Sequence, residues 1–185
     1  MSISQHRRRE RGVTLIELVL FIVIVGLASA AILGVMSLTT QHSADPQLRK
    51  QALAIAESML EEIQLARFTY CDPQDPAAET AANPAGCAIP EVAGQEAGGA
   101  GRPFDNVNDY VGAYGAATAY TTDAQGAVWA AGSPQAYVAS VTITPVALNG
   151  LPATEGLRIQ VVVPYADQQV VLDGYRVRYA PNSIP

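Results

Sequence analysis

Residues 11–36 read RGVTLIELVLFIVIVGLASAAILGVM, and this stretch decides what kind of fold the chain has. The part from 18 to 36 contains 19 residues without a charge or a proline. As an α-helix it would be roughly 28 Å long, close to the thickness of the hydrocarbon core of a bilayer. The sequence therefore predicts a membrane-spanning helix near the N-terminus, over residues 13–40.

Charge is distributed unevenly along the 185 residues. The whole chain has a formal net charge of −6, but residues 1–12 contain four arginines and one glutamate. Arginines before an apolar segment keep that end of a membrane protein in the cytoplasm, so the chain beyond the segment is predicted to lie outside. That outer part is acidic and would repel the phosphates of nucleic acids. We therefore expect no nucleic-acid partner.

A single carboxylate interrupts the apolar segment. Glu17 is the only ionisable side chain between Gly12 and Gln41, and a carboxylate in hydrocarbon requires a partner. If the bond after Gly12 is cut, Val13 gains a free α-amine. In a filament, the carboxylate of Glu17 would pair with the amine of Val13 in the neighbouring subunit and fix the axial register.

The stretch GVTLIE at 12–17, with its basic leader and apolar span, resembles the processing signal of type IV pilins and type II secretion pseudopilins. The resemblance implies that prepilin peptidase, a membrane aspartyl enzyme, cleaves after Gly12 and methylates Val13, where Phe or Met is more usual. It also implies that Glu17 is the glutamate needed for filament assembly. The match covers the N-terminal part of the chain, up to residue 40.

Other segments resemble a narrower group, the MshD subfamily of minor pilins in mannose-sensitive haemagglutinin (MSHA) pili. They are SADP at 43–46, AIAE at 54–57, FDNV at 104–107 followed by Tyr110, and LDGYR at 172–176. This resemblance implies a minor subunit that serves filament assembly, priming or adhesion. A minor pseudopilin of a type II secretion system and a single-pass anchor with a periplasmic binding domain stay open as alternatives.

The rest of the chain predicts an α+β fold. A helix at 41–67 has an apolar face, formed by Leu48, Ala52, Ile55, Met59 and Ile63. Alternating apolar and polar residues predict strands at 137–144, 157–163 and 169–179. We expect a pilin-like arrangement, in which a long N-terminal membrane-spanning helix is packed on a C-terminal antiparallel β-sheet.

Two finer features of this domain are also predicted. Asn149-Gly150 is typical of a tight turn between antiparallel strands. Glu57, Glu61 and Glu62 lie off the apolar face of the helix, so they are expected to be solvated.

Cys71 and Cys87 lie in the part that is predicted to be exported. An even number of cysteines in an oxidising compartment indicates a disulfide, and no histidine or third cysteine lies nearby to suggest a metal site. Residues 105–109 carry oxygen ligands suited to calcium, but the glycine and glutamate of an EF-hand loop are absent. We expect an Asx-rich turn held by Phe104 and Tyr110, and we predict no metal and no cofactor.

The predicted organisation has four parts: a cytoplasmic leader at 1–12, a transmembrane and filament-core helix at 13–40, an amphipathic helix at 41–67, and a periplasmic or extracellular domain at 68–185. The expected location is the bacterial inner membrane, followed by the pilus, periplasm or cell surface. The expected partners are prepilin peptidase, other pilin subunits of the same filament and, during biogenesis, the inner membrane.

Two other classes of protein fit parts of the sequence. A secretory signal peptide would be cut after ASA at 28–30, but Glu17 inside its apolar region argues against it. An enzyme would need a nucleophile or phosphate-binding motif, and beyond residue 12 the chain contains one histidine, His42, beside the predicted membrane exit. We therefore predict a structural protein that is itself the substrate of a peptidase.

Overall fold

A computed structural model describes residues 12–41, 45–96, 99, 101–132 and 136–182. The chain divides into two compact units between Ala44 and Asp45. In the first unit the described residues form helix α1, Leu15–Gln41. The regular elements of the second unit are helix α2 (Asp45–Leu65), strands β1 (Thr118–Tyr120), β2 (Ala139–Pro145), β3 (Gly156–Tyr165) and β4 (Gln168–Val177), and single 3-10 turns at Pro84–Gly86, Val107–Tyr110 and Ala153–Glu155.

Helix α2 is held by the apolar face that its sequence predicts. Ala52, Ala56, Met59 and Ile63 recur every three or four residues, and each is 0% exposed. They belong to one hydrophobic core with the inner face of the sheet. Full burial of an aliphatic side chain contributes about 1.5–3 kcal/mol, so tertiary packing rather than helix propensity holds α2 in place.

The sheet is an antiparallel meander in the order β1-β2-β3-β4. Alternate residues of its two central strands are almost fully buried: Ala139, Val141 and Ile143 in β2, and Leu157, Ile159, Val161 and Val163 in β3. Val141 lies opposite Val161, and Ile143 lies opposite Ile159. The predicted α+β fold class is confirmed, because α2 packs on this four-stranded antiparallel sheet.

The predicted Asn149-Gly150 turn is present between β2 and β3. Leu148 and Leu151 exchange two backbone hydrogen bonds, of 3.1 and 2.8 Å. The φ angles of Asn149 and Gly150 are 47° and 89°. Positive φ at both central residues defines a type I′ hairpin turn, for which Asn-Gly is a favoured sequence.

Strand β4 ends at Val177, two residues before the predicted end at 179, and Tyr175 lies on its exposed side. Tyr175 is 54% exposed, whereas Gly174 is buried. A Cβ atom at Gly174 would lie 2.8 Å from Cδ1 of Leu60 and 2.5 Å from Nε2 of Gln64, so α2 approaches β4 closely there. On the same side of β4, Arg176 donates a 3.1 Å hydrogen bond to the backbone carbonyl just beyond α2.

The prediction that Glu62 is solvated is wrong. Glu57 and Glu61 are exposed, but the side chain of Glu62 is 11% exposed and forms a bidentate ion pair with Arg102, with N···O distances of 2.6 and 2.9 Å. Glu62 also accepts a 3.0 Å hydrogen bond from the hydroxyl of Tyr110. Burial, reinforced by the charge of Glu62, raises the pKa of that hydroxyl. Arg102 lies 40 positions further along the chain, so the helical pattern alone contains no sign of it.

Residues 178–182 close over the loop that follows α2. The backbone carbonyl of Pro181 accepts a 3.1 Å hydrogen bond from the N–H of Tyr70. Asn182 donates two 3.0 Å hydrogen bonds, to the carbonyls of Ala78 and Ala81. This segment, called the closing segment below, therefore joins the end of the described chain to residues 70–81.

Candidate functional site

The predicted processing site lies immediately before α1. Gly12, Val13 and Thr14 precede the first helical residue, Leu15. Val13 is 68% exposed, and a Cβ atom at Gly12 would have no neighbour within 4 Å. The peptide bond between Gly12 and Val13 is therefore outside the helical hydrogen-bonding pattern and sterically open.

Thr14 has a role that the sequence analysis missed. Its Oγ1 accepts a 3.4 Å hydrogen bond from the N–H of Glu17, and its carbonyl accepts a 3.1 Å hydrogen bond from the N–H of Leu18. Thr14 thus caps α1, and Glu17 lies in the first turn, where the positive end of the helix favours a carboxylate. The pattern Thr-x-x-Glu at 14–17 is the sequence signal of such a helix start.

Helix α1 is apolar on every side. Its segment Leu15–Ser37 has a mean hydropathy of 2.9, and none of it is buried. The large apolar side chains of this segment are between 43% and 81% exposed. A helix that is apolar all round is normally covered by lipid or by other apolar elements. By length and composition α1 can cross a membrane, a criterion that N-terminal signal sequences also meet.

The predicted disulfide joins Cys71 and Cys87, whose Cα atoms are 5.4 Å apart. Cys71 is fully buried in a small second core with Ala78 and Ala81. On the other side of the loop, Cys71 pairs with Pro90 in an isolated antiparallel bridge. The disulfide therefore fixes the chain that follows α2 against the chain that leads to residue 90.

Residues 105–109 form the expected Asx-rich turn. The side chain of Asn106 caps the 3-10 turn Val107–Tyr110 by accepting a 3.2 Å hydrogen bond from the backbone two residues on. Asp109 accepts a 3.3 Å hydrogen bond from the N–H of Asn106. The rings of Phe104 and Tyr110 pack edge to face, with centroids 4.9 Å apart.

Beside this turn lies a group of carboxylates that are distant in sequence and form no recognisable motif. Asp72, Glu91 and Glu96 each offer an oxygen atom, and these atoms all lie within 4.8 Å of one another; they are called the acidic cluster below. Burial, together with the charges of Glu96 and Asp109, raises the pKa of Glu91 to about 9. Burial and the charge of Glu96 also raise the pKa of Asp109 to about 8. These groups resist ionisation because the fold removes them from water and places like charges together.

Comparison with protein families identifies the segment around the processing site. The model of the family "Prokaryotic N-terminal methylation motif" matches residues 7–37, which include Gly12, Val13 and Glu17. The N-terminus of this chain is prepilin-like. A prepilin-like motif indicates the type IV pilin-like family and implies processing by prepilin peptidase and assembly with pilin-like subunits. Together with α1, it implies anchoring in the inner membrane before residence in a pilus or the periplasm.

The prepilin-like motif is shared by subunits of type IV pili and of type II secretion systems, which are typically structural proteins and not enzymes. No curated protein matches the chain, and no solved structure matches it either. Any assignment of the chain to a type IV pilus or to a type II secretion system therefore has to be argued from its own sequence.

Proposed function

We propose that the chain is a minor subunit of an MSHA-type type IV pilus, similar to the MshD subfamily. The observation that carries this proposal is that the prepilin-like motif leads into a helix, α1, whose apolar side chains are exposed on all sides. Helices of neighbouring pilin-like subunits would cover that apolar surface. Support for the MSHA type comes from the segments at 43–46, 54–57, 104–107 and 172–176.

The proposed organisation follows from this role. Residues 1–12 are a cytoplasmic leader that prepilin peptidase removes, and residues 13–40 span the inner membrane before they enter the filament core. Residues 41–67 and 68–185 form the part outside the membrane, first in the periplasm and then at the cell surface. The subunit primes filament assembly or contributes to adhesion.

Glu17 and Val13 are the residues proposed to set the register of assembly. Cleavage after Gly12 creates an α-amine on Val13, to which the peptidase adds a methyl group. An unpaired carboxylate costs about 3 kcal/mol at the centre of a bilayer and less near a helix end, where Glu17 lies, and an amine from the next subunit would neutralise it. Glu17 is the one ionisable side chain of the segment, so this contact would have a single favourable axial position.

The first test is the N-terminus of the protein taken from native membranes, determined by intact mass and terminal peptide sequencing. A chain that starts at Val13 with an added methyl group is the expected result. A chain that starts at Ala31 would be a secreted domain, and one that retains Met1 would be a plain anchor; either result contradicts the proposal.

The second test is Glu17→Ala, with Glu57→Ala on the exposed side of α2 as the matched control. We expect normal membrane insertion of both variants and a loss of at least about tenfold in filament incorporation for Glu17→Ala alone, which corresponds to about 1.4 kcal/mol. Immunoblots of sheared filaments and of membranes measure the ratio. Normal incorporation of Glu17→Ala would refute the pairing mechanism. Copurification of the wild-type chain with a type II secretion pseudopilus, and not with pili, would reassign it to that system.

A further inference from the structure

The acidic cluster contains a buried carboxylate for which the described chain supplies no partner. Glu91 is 6% exposed, and neither of its carboxylate oxygens has a hydrogen-bond partner among the described residues. Nearby, Asp109 is also 6% exposed, and its Oδ1 is likewise without a hydrogen-bond partner. Buried polar atoms are normally hydrogen-bonded, so two such carboxylates in one place require an explanation.

The backbone holds the acidic cluster in a fixed frame. The N–H of Glu91 donates a 2.9 Å hydrogen bond to the carbonyl of Tyr70, and the N–H of Asp72 donates a 3.0 Å hydrogen bond to the carbonyl of Ile89. These two bonds flank Cys71, whose disulfide locks the same pair of segments together. The carboxylates of Asp72 and Glu91 are therefore brought together by the disulfide-bonded framework and not by a flexible surface loop.

No basic side chain of the described residues forms an ion pair with the acidic cluster. The ion pairs among these residues join Arg102 to Glu62, Arg158 to Asp173, and Arg178 to Glu155. Asp72 accepts one hydrogen bond, of 2.6 Å from the N–H of Gln74, which orients its carboxylate. The described residues thus supply no positive charge that would pair with ionised carboxylates at this site.

We propose that the acidic cluster is a calcium site, in which Asp72, Glu91 and Glu96 are ligands and Asp109 lies alongside. Calcium takes carboxylate oxygens at about 2.3–2.6 Å, so two oxygens on one ion lie at most about 5 Å apart. The observed limit of 4.8 Å fits this requirement. Zinc and copper favour histidine and thiolate ligands, whereas this cluster offers carboxylates alone and the neighbouring cysteines are joined in a disulfide.

The sequence did not predict this calcium site, because its ligands are far apart along the chain. The three ligands come from the two ends of the disulfide loop and the segment after it, so they do not form a spaced motif. The stretch 105–109, which resembles a calcium-binding loop in composition, uses Asn106 and Asp109 to cap its own turn. The proposal concerns the second unit of the chain and does not depend on filament assembly.

The test uses the full chain in detergent micelles after treatment with EDTA. We expect saturable binding of one Ca²⁺ per chain in isothermal titration, and a melting temperature that rises with Ca²⁺ concentration up to about millimolar. Mg²⁺ should have a much smaller effect, because it requires stricter octahedral geometry and gives up water reluctantly. The absence of saturable Ca²⁺ binding, or an equal response to Mg²⁺, would overturn the proposal.

The decisive variant is Glu91→Gln, with Glu57→Gln as the matched control. Glu91→Gln should weaken Ca²⁺ binding by about tenfold or more, since even neighbours of metal ligands contribute factors of about 10–100. Its melting temperature in EDTA should be close to that of the wild type, because the side chain of Glu91 resists ionisation when no ion is bound and a neutral amide has nearly the same shape. Wild-type affinity in Glu91→Gln would overturn the assignment. If Glu91→Gln does not fold, Glu96→Gln at a partly exposed position gives the same comparison.

Discussion

Helices α1 and α2 are both long, but their surfaces differ in how the apolar side chains are distributed. The 21-residue helix α2 buries one apolar face against the sheet, whereas the 27-residue helix α1 is apolar all round and its large apolar side chains stay exposed. The surface that α2 requires is encoded in the same chain. Helix α1 has no polar face, and a helix of that kind is normally covered by lipid or by other apolar elements.

Each helix also contains a glutamate, and the two glutamates differ in the partners of their side chains. Glu62 of α2 is paired with Arg102 and accepts a hydrogen bond from Tyr110. For Glu17 of α1, the contact described is a backbone one, the hydrogen bond from its N–H to Thr14. The difference teaches that Glu62 finds its partners within the fold, whereas the partner proposed for Glu17 is the α-amine of a neighbouring subunit.

The largest expected effect is on the free energy of unfolding, when Glu62, the buried partner of Arg102, is removed. Glu62→Ala leaves the buried guanidinium of Arg102 uncompensated, and breaking such a pair costs about 3–5 kcal/mol of the free energy of unfolding. Chemical denaturation in micelles, followed by the fluorescence of Trp129, measures it. Glu61→Ala, on the exposed side, is the control and should change the value by less than about 0.5 kcal/mol. Equal effects of the two substitutions would mean that the Glu62–Arg102 pair is not formed in solution.

A matched pair of isoleucines compares the two apolar surfaces directly. Ile63 of α2 is 0% exposed, and Ile24 of α1 is 57% exposed. Ile63→Ala should lower the free energy of unfolding by about 2–5 kcal/mol, because it leaves a cavity in the core. Ile24→Ala should leave that free energy unchanged in the same denaturation experiment. A large loss from Ile24→Ala would mean that an exposed side chain of α1 stabilises the second unit, which contradicts this prediction.

The smallest effect is expected at two glycines. Gly174→Ala places a Cβ atom against the ends of Leu60 and Gln64, which are flexible side chains, so the expected loss is about 1 kcal/mol. Gly26→Ala in α1 meets nothing within 4 Å and should leave the unfolding of the second unit unchanged. A Gly174→Ala protein as stable as the wild type would mean that α2 can move away from β4 without loss.

Periodicity predicted most of the fold. The apolar face of α2 and the alternation in β2 and β3 are repeated local patterns, and Asn149-Gly150 is a local turn signal, so each is present in a short window of sequence. For the N-terminal segment, the family match supports the prepilin interpretation, while the roles of Gly12, Val13 and Glu17 stay predictions. Cys71 and Cys87 could be paired because the chain contains no other cysteine.

Contacts between distant residues were not predictable in the same way. Glu62 was expected in solvent because its position on the helix says nothing about Arg102, which reaches it from a loop. The acidic cluster depends on the disulfide and on two backbone hydrogen bonds that bring separate segments together. A sequence pattern predicts which side of a helix or strand is apolar. It does not predict which loop packs against the polar side in the folded protein.

The closing segment at residues 178–182 has a consequence for when the second unit can fold. Its contacts reach back 104 and 101 positions, to Ala78 and Ala81, so the loop that it covers is synthesised long before it. Contacts so far apart in sequence form slowly, because much of the chain must be ordered first. During that interval the loop with Cys71 and Cys87 is not covered by the closing segment. Folding of the second unit is therefore expected as one late step after the closing segment has been synthesised, and not strand by strand as the chain emerges.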